Sequence, residues 1–185
     1  IYCHIIQLKI SNGLCGYLIP FLELFNDCPS FILFEARVDP GLRPYTSFSF
    51  FYSLPSGMTF KLLTNDYLDL IDSTWPHRYP SSSTYFELLI DNKYGYGLFL
   101  KNTLICWLFI NESGNLLHMY TVKEHRQKGY AELLLKLVSN VLIADGKIVC
   151  AYCLRDNYNA IKLYTKAGFD RIEGVAWCYL RSTIN

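Results

Sequence analysis

The sequence predicts an α/β fold in which helices lie on both faces of a single mixed sheet. Between Leu116 and Leu180, short strands alternate with amphipathic helices in the order strand, helix, strand, helix, strand. Short helices and paired strands precede them, from Met58 to Ile110. Elements in this order are typical of a sheet that is covered by helices.

The ends of the predicted elements carry cap and turn residues. Thr64 or Asn65 is placed to cap a helix, and Gly168, a residue type that favours a left-handed conformation, ends another. We predict strands over 58–63, 95–101, 104–110, 116–122, 147–154 and 169–180. We predict helices over 64–75, 85–91, 129–144 and 157–167.

Residues 1–57 are predicted to form a β-rich region of their own. Runs of Phe, Val and Tyr over 31–38 and 46–53 are interrupted by Pro and Gly. This region could be a truncated half of a companion domain, and residues 58–185 would then form the main domain.

Composition narrows the class of protein. The chain has 185 residues, of which 51% are hydrophobic, and a formal net charge of +1. This small charge argues against binding to nucleic acid or to an anionic membrane.

Cys150 and Cys153 lie three apart on a predicted strand, so their side chains point to opposite faces. We therefore expect reduced thiols, no metal site and a cytosolic protein, or a mitochondrial one if a leader is missing before Ile1.

The turn before the longest helix has the features of an anion site. It reads VKEHRQKGYA over 122–131, with several basic residues and with Gly129 where the helix starts. Backbone N–H groups at a helix start point outward and favour negative charge. Alternatively, the basic run is a solvated turn and Gly129 only a turn residue.

This turn resembles the acyl-CoA loop of the GNAT superfamily of N-acyltransferases, whose pattern is Arg/Gln-x-x-Gly-x-Gly/Ala. A second block is similar to that superfamily's next motif and comprises Asn157, Ala160, Leu163, Tyr164, Gly168 and Phe169. The segments STWPHR (73–78), ICWLF (105–109), YTVKEHR (120–126) and WCYL (177–180) resemble the glycine N-acyltransferase-like branch. The resemblance covers about 58–180. It implies the GNAT fold, a mostly antiparallel sheet splayed between two parallel strands.

The resemblance implies acyl-CoA or acetyl-CoA as the co-substrate, bound in a V-shaped opening between the strands over 116–122 and 147–154. The amides near Met119 and Tyr120 would polarise the thioester carbonyl. The residues expected to contact coenzyme A are Met119, Tyr120, Val122, Arg126, Gln127, Lys128, Gly129, Tyr130, Ala131 and Asn157. Asn157 could instead only cap its helix.

The same resemblance places a general acid at Tyr164, which would protonate the leaving thiolate; alternatively, Tyr164 is a core aromatic residue. The attacking amine also needs a base. The glycine branch has a Glu directly after the turn glycine, whereas this chain has Asn115. Glu112 and His118 are candidate substitutes, although either could be structural. We expect Trp107 and Trp177 in the core, with a pocket-lining role as the alternative.

We therefore expect an N-acyltransferase that acts on a small amine or amino acid by direct attack in a ternary complex. An acyl-CoA sensor that kept the cradle and lost the base is the first alternative, motivated by Asn115. An interaction protein whose region 1–57 pairs strands with a partner is the second.

Overall fold

The computed structural model describes residues 5–9, 30–36 and 54–179, and it describes side chains over 32–36 and 54–172. Contacts divide the chain into two compact units. The smaller comprises Ile1–Glu35 with Tyr152–Asn185, and the larger comprises Ala36–Ala151. This division differs from the predicted domain boundary at residue 57, which stays a prediction.

The described residues form eight strands, four α-helices and two 3-10 helices. The strands are β1 Ile5–Lys9, β2 Ser30–Ala36, β3 Met58–Leu62, β4 Gly95–Leu100, β5 Thr103–Ile110, β6 Asn115–Thr121, β7 Cys150–Leu154 and β8 Phe169–Tyr179. The α-helices are α1 Leu68–Ser73, α2 Ser82–Asp91, α3 Tyr130–Ala144 and α4 Tyr158–Lys166. The 3-10 helices are Asn65–Tyr67 and Lys123–His125.

In the larger unit, the strands pair in the order β7-β6-β5-β4-β3. Strands β3 to β6 are antiparallel neighbours. Short turns join β4 to β5 and β5 to β6, whereas α1 and α2 lie between β3 and β4. Strand β7 begins parallel to β6, with register pairs Asn115–Cys150 and Leu116–Ala151. The remaining residues of β6 run past the end of this two-residue ladder. The sheet is thus mixed and mostly antiparallel, as predicted.

Helices cover both faces of this sheet. All residues from Leu104 to Ile110 in β5 are buried, so both faces of that strand are covered. Trp107 and Phe109 share a core cluster with Ile71 of α1 and Phe86 of α2. The alternating residues of β5 point to the opposite face, and α3, which packs against β4, β5 and β6, presents buried Leu and Val residues.

In the smaller unit, the strand order is β1-β8-β2-β7, and β1 is antiparallel to β8. Helix α4 packs against β8. Its Tyr164 is buried and contacts the rings of Phe34 in β2 and Phe169 in β8, with centroids 5.1 and 5.5 Å away. Gly168 follows α4 with φ 88°, the left-handed conformation that the sequence predicted there.

Three predicted elements differ in their bounds by three residues or more. The helix predicted over 85–91 is α2, which begins earlier, at Ser82. The helix predicted over 64–75 begins as a 3-10 turn, in which the Tyr67 N–H donates to the Thr64 carbonyl before α1 starts. The strand predicted from 147 starts at Cys150, because the Lys147 N–H still donates to the Leu142 carbonyl at the end of α3. The predicted strand over 46–53 lies outside the described residues. Among the described helices, none is long and apolar enough to cross a membrane.

Phe86 is expected to be a major contributor to the stability of the larger unit. It is fully buried, and its ring lies 5.0 Å from Trp75 and 5.1 Å from Phe109 between centroids. Phe86→Ala should therefore lower the free energy of unfolding by about 3–5 kcal/mol in urea titrations. Leu88→Ala, in the same helix but 57% exposed, is the matched control and should cost much less. Equal losses in the two variants would contradict this packing.

Candidate active site

Helix α3 begins in a turn that no side chain caps. Gly129 occupies the N-cap position with φ 80° and ψ 2°, and within the described residues no side chain accepts a cap hydrogen bond there. Gln127, two residues earlier, is also left-handed, with φ 59°. A Cβ added to Gly129 would meet no protein atom within 4 Å. The N–H groups of a first helical turn have no intrahelical partners, so this start is suited to bind an anion.

The charged side chains around the turn are compatible with a phosphate ligand. Arg126 and Lys128 are exposed, and each bonds back to the chain: Arg126 Nε donates to the Thr121 carbonyl and Lys128 Nζ to the Glu124 carbonyl, both at 3.0 Å. The carboxylate of Glu132, in the first turn of α3, pairs with Lys136 at 2.8 Å. The negative charge nearest the helix start is therefore neutralised.

Strand β6 contains a β-bulge in front of this turn. Trp107 of β5 pairs with Tyr120, but Phe109 pairs with Leu117, so two residues of β6, His118 and Met119, oppose one of β5. His118 has φ 45°, a left-handed value that is unusual outside glycine. The bulge interrupts the alternation of the strand.

The bulge also decides which amides of β6 are used within the sheet. The Val122 N–H donates to the Ile105 carbonyl of β5 at 2.9 Å. By the alternation of an antiparallel ladder, the Tyr120 N–H is expected to face β5 as well. Of the two predicted donors to a thioester carbonyl, Met119 is therefore the one that this ladder does not assign to β5, and its role stays a prediction. Val122 is left with its side chain for contact with a ligand.

The imidazole of His118 is held inside an aromatic cluster. Its Nε2 lies 3.1 Å from the carbonyl oxygen of Ile71 in the last turn of α1. The rings of Phe86, Trp107 and Tyr120 lie 5.1, 6.2 and 6.5 Å away between centroids. Burial lowers the pKa of His118 to about 4, although the Ile71 carbonyl and Asp72 act in the opposite direction. The ring is therefore neutral at physiological pH.

Glu112 lies at the other side of this cluster. It is exposed in the turn before β6 and accepts a hydrogen bond from the Tyr85 hydroxyl at 2.9 Å. Burial, together with Glu112, raises the pKa of Tyr85. The Tyr85 ring stacks at 6.3 Å on Trp75, which contacts His118 at the same centroid distance. The two candidate bases thus flank one aromatic cluster.

Asn115, which stands where the glycine branch has Glu, is buried at the start of β6. Its N–H donates to Asn111 Oδ1 at 2.8 Å, and its carbonyl accepts from the Asn111 N–H at 2.9 Å. These bonds close the turn between β5 and β6, with Gly114 left-handed at φ 80°. The backbone at position 115 therefore has a structural role in the turn.

Tyr130 and Ala131 form the first turn of α3. Two further predicted site residues, Tyr164 and Asn157, belong to the smaller unit. Burial raises the pKa of Tyr164, with a smaller contribution from Cys153, so its hydroxyl keeps its proton at neutral pH. Asn157 caps α4, since its Oδ1 accepts from the Ala160 N–H at 3.1 Å. The structural alternative for Asn157 is therefore present, and a contact with coenzyme A stays a prediction. The V-shaped opening, which involves residues of both units, also stays a prediction.

The structure adds two groups that the sequence did not single out. Tyr85 bonds Glu112, and the carbonyl of Ile71 bonds His118; neither pairing has a sequence signal, because the partners are 27 and 47 residues apart. Trp107 is fully buried, as predicted, and its indole Nε1 has no partner among the described atoms. The side chain of Trp177 lies outside the described residues.

The described cysteines and acidic residues do not assemble a metal site. Cys106 and Cys153 are free thiols. Within the part of the chain that is described, no three His, Cys, Asp or Glu residues come together in a way that could hold a metal ion. Burial raises the pKa of Cys106 to about 12, so its thiol is inert at neutral pH.

Sequence comparison connects part of the chain to a known family. Residues 95–178, which include the uncapped turn and α4, match the family model described as FR47-like protein. No curated protein matches the chain in sequence.

Solved structures show the fold. A Drosophila protein has a TM-score of 0.70 at 19% identity, over 95% of this chain and 60% of that one. A GNAT-family acetyltransferase from Colwellia psychrerythraea has a TM-score of 0.65 at 13% identity, over 97% and 65%. AAC(6')-Iy in complex with a bisubstrate analogue, CoA-S-monomethyl-acetylneamine, has a TM-score of 0.55 at 16% identity, over 69% and 99%.

The comparisons confirm the predicted α/β GNAT fold. They do not reach the finer resemblance to the glycine N-acyltransferase-like branch. The chain spans less than two thirds of the Drosophila and Colwellia proteins.

Burial of His118 should make the stability of the protein depend on pH. Because its pKa falls from 6.5 to about 4 on folding, the unfolded chain binds this proton first, and stability falls as the pH drops from 6.5 toward 4. His118→Gln removes this contribution. In urea titrations, the wild type should lose about 2 kcal/mol more than the variant between pH 7.5 and pH 5. An identical pH dependence in both proteins would contradict the buried neutral ring.

Proposed function

We propose that this chain, which has the fold of the GNAT acetyltransferases, transfers an acyl group from acyl-CoA to a small amine. The observation that carries the proposal is the uncapped, left-handed start of α3 at Gly129, within the segment that matches the family model. Coenzyme A carries a pyrophosphate, which needs backbone donors and close approach, and the turn offers both. The analogue-bound structure of AAC(6')-Iy supports coenzyme A as the carrier.

The proposed reaction is a direct transfer. The Met119 N–H donates to the thioester carbonyl oxygen, where negative charge develops. The neutral amine attacks the carbonyl carbon, the C–S bond breaks, and the thiolate takes a proton from the Tyr164 hydroxyl. The proton lost by the amine passes to a base and then to solvent, and the Tyr164 phenolate takes a proton back from solvent. The net reaction converts thioester and amine into amide and thiol. The thiols of Cys106, Cys150 and Cys153 have no part in this scheme.

The acceptor is proposed to be a small amine or an amino acid, with glycine as one candidate from the sequence resemblance. Glu112 is the exposed carboxylate at the aromatic cluster and accepts from Tyr85. It is the better-placed group to take the proton of the amine, directly or through water. We also propose that the protein is cytoplasmic.

An acyl-CoA sensor is the second candidate, because Asn115 cannot accept a proton. A thiol-release assay separates the two functions. Wild-type protein with acetyl-, long-chain and aryl-CoA is mixed with a panel of amines and amino acids. Release that depends on the amine supports transfer. Binding of acyl-CoA without thiol release supports the sensor. A protein that neither binds acyl-CoA nor releases thiol would refute both functions.

Replacing the proposed acid should reduce turnover and leave binding intact. Tyr164→Phe removes only the hydroxyl, so kcat should fall about 100-fold, while the Kd for coenzyme A stays near the wild-type value. Tyr158→Phe, in the same helix but 76% exposed, is the matched control and should leave both constants unchanged. Unchanged turnover in Tyr164→Phe would remove this residue from the mechanism.

A further inference from the structure

We infer that His118 is a positioning residue for the proposed transfer: its ring ties the bulge of β6 to the end of α1 and so fixes the direction of the neighbouring Met119 amide. The inference rests on the proposed function, because Met119 is the proposed donor to the thioester carbonyl. It answers a question that the sequence left open, namely whether His118 is a base.

The hydrogen bond to Ile71 determines the tautomer of the ring. A carbonyl oxygen accepts hydrogen bonds and does not donate them, so Nε2 of His118 must carry the proton. The same carbonyl also accepts from the Thr74 hydroxyl at 2.8 Å and from the Thr74 N–H at 3.3 Å, at the end of α1. The bond from His118 therefore joins a fixed helix end to β6.

The surroundings of the ring explain why the bond is specific. The ring of His118 is half-buried and contacts the aromatic rings of Phe86, Trp107 and Tyr120, which offer it no carbonyl or carboxylate acceptor. The charged group that acts on it is Asp72, which is buried and bonded to Arg78 at 2.7 Å and to the Ser82 hydroxyl. The ring thus sits in an apolar cluster, with the nearby charge already paired.

The backbone at His118 needs such an anchor. A residue with a side chain at φ 45° is in a sparsely populated conformation, which persists only where its surroundings hold it. In a bulge, two residues share one position of the partner strand, so a change at the first alters the direction of the second. Because Met119 is that second residue, the anchor at His118 controls where its N–H points.

A role as base is less compatible with this arrangement. Because Nε2 is already protonated and bonds Ile71, only Nδ1 is left to accept a proton, and the aromatic cluster around the ring opposes that second proton. A base must accept a proton readily near the working pH. The geometry therefore assigns His118 to the framework of the site.

Two variants separate the roles. His118→Gln places an amide N–H at the same number of bonds from Cα as Nε2 but cannot act as a base, and Gln127 shows that glutamine adopts a left-handed conformation in this chain. His118→Leu keeps the bulk and removes the donor. If His118 positions the Met119 amide, the Gln variant should retain kcat within about threefold. The Leu variant should lower kcat roughly 10- to 100-fold, with little change in the KM for acyl-CoA.

The pH–rate profile and chemical rescue with imidazole test the opposite role, in which His118 is the base. If His118 is the base, both variants should lose the same limb of the profile and added imidazole should restore turnover. If both variants match the wild type, His118 has no role. Either result would overturn the inference.

A readout without catalysis separates a failure of this inference from a failure of the proposed function. In NMR spectra of the aligned, nitrogen-15-labelled, unliganded protein, the residual dipolar coupling of the Met119 N–H reports the direction of that bond. This coupling should be conserved in the Gln variant and change in the Leu variant. A wild type that releases no thiol refutes the transferase, whereas an unchanged Met119 coupling in the Leu variant refutes the anchor.

Discussion

Helix α3 starts at Gly129 in a left-handed conformation without a side-chain cap, and the proposed binding of the coenzyme A pyrophosphate depends on that turn. Packing does not require glycine there, because a Cβ would meet open space. The requirement comes from the backbone angle and from the clearance that a phosphate group needs in front of the amides. The paired Glu132 and the exposed Arg126 and Lys128 leave the electrostatics favourable to an anion.

Strand β6 leads into this turn, and its irregularity is the second constraint. The bulge at His118 and Met119 interrupts the antiparallel ladder with β5, while the parallel ladder with β7 has only two register pairs. A regular strand would use its amides alternately on both neighbours. The aromatic cluster around Phe86 and Trp107 stabilises the irregular backbone through His118, so the core and the candidate site depend on each other.

The helices and strands from Met58 onward were largely predictable, because periodicity and caps are local signals: Gly129 and Gly168 occupy the helix ends that the sequence indicates. The bulge in β6 could not be predicted from the sequence, because it depends on the register between β5 and β6. The partners of Glu112 and His118 were equally hidden, because Tyr85 and Ile71 are distant in sequence. The sequence thus located the anion turn but left the roles of the polar residues around the aromatic cluster open.

Calorimetric titration of coenzyme A into matched glycine variants tests the central claim most directly. Gly129 and Gly146 lie at opposite ends of α3, both left-handed and both with open space where a Cβ would stand. Gly129→Glu and Gly146→Glu therefore add the same charge and a similar backbone strain. We expect Gly146→Glu to bind coenzyme A with wild-type affinity and Gly129→Glu to lose at least roughly tenfold in that affinity. Wild-type affinity in Gly129→Glu would contradict this expectation.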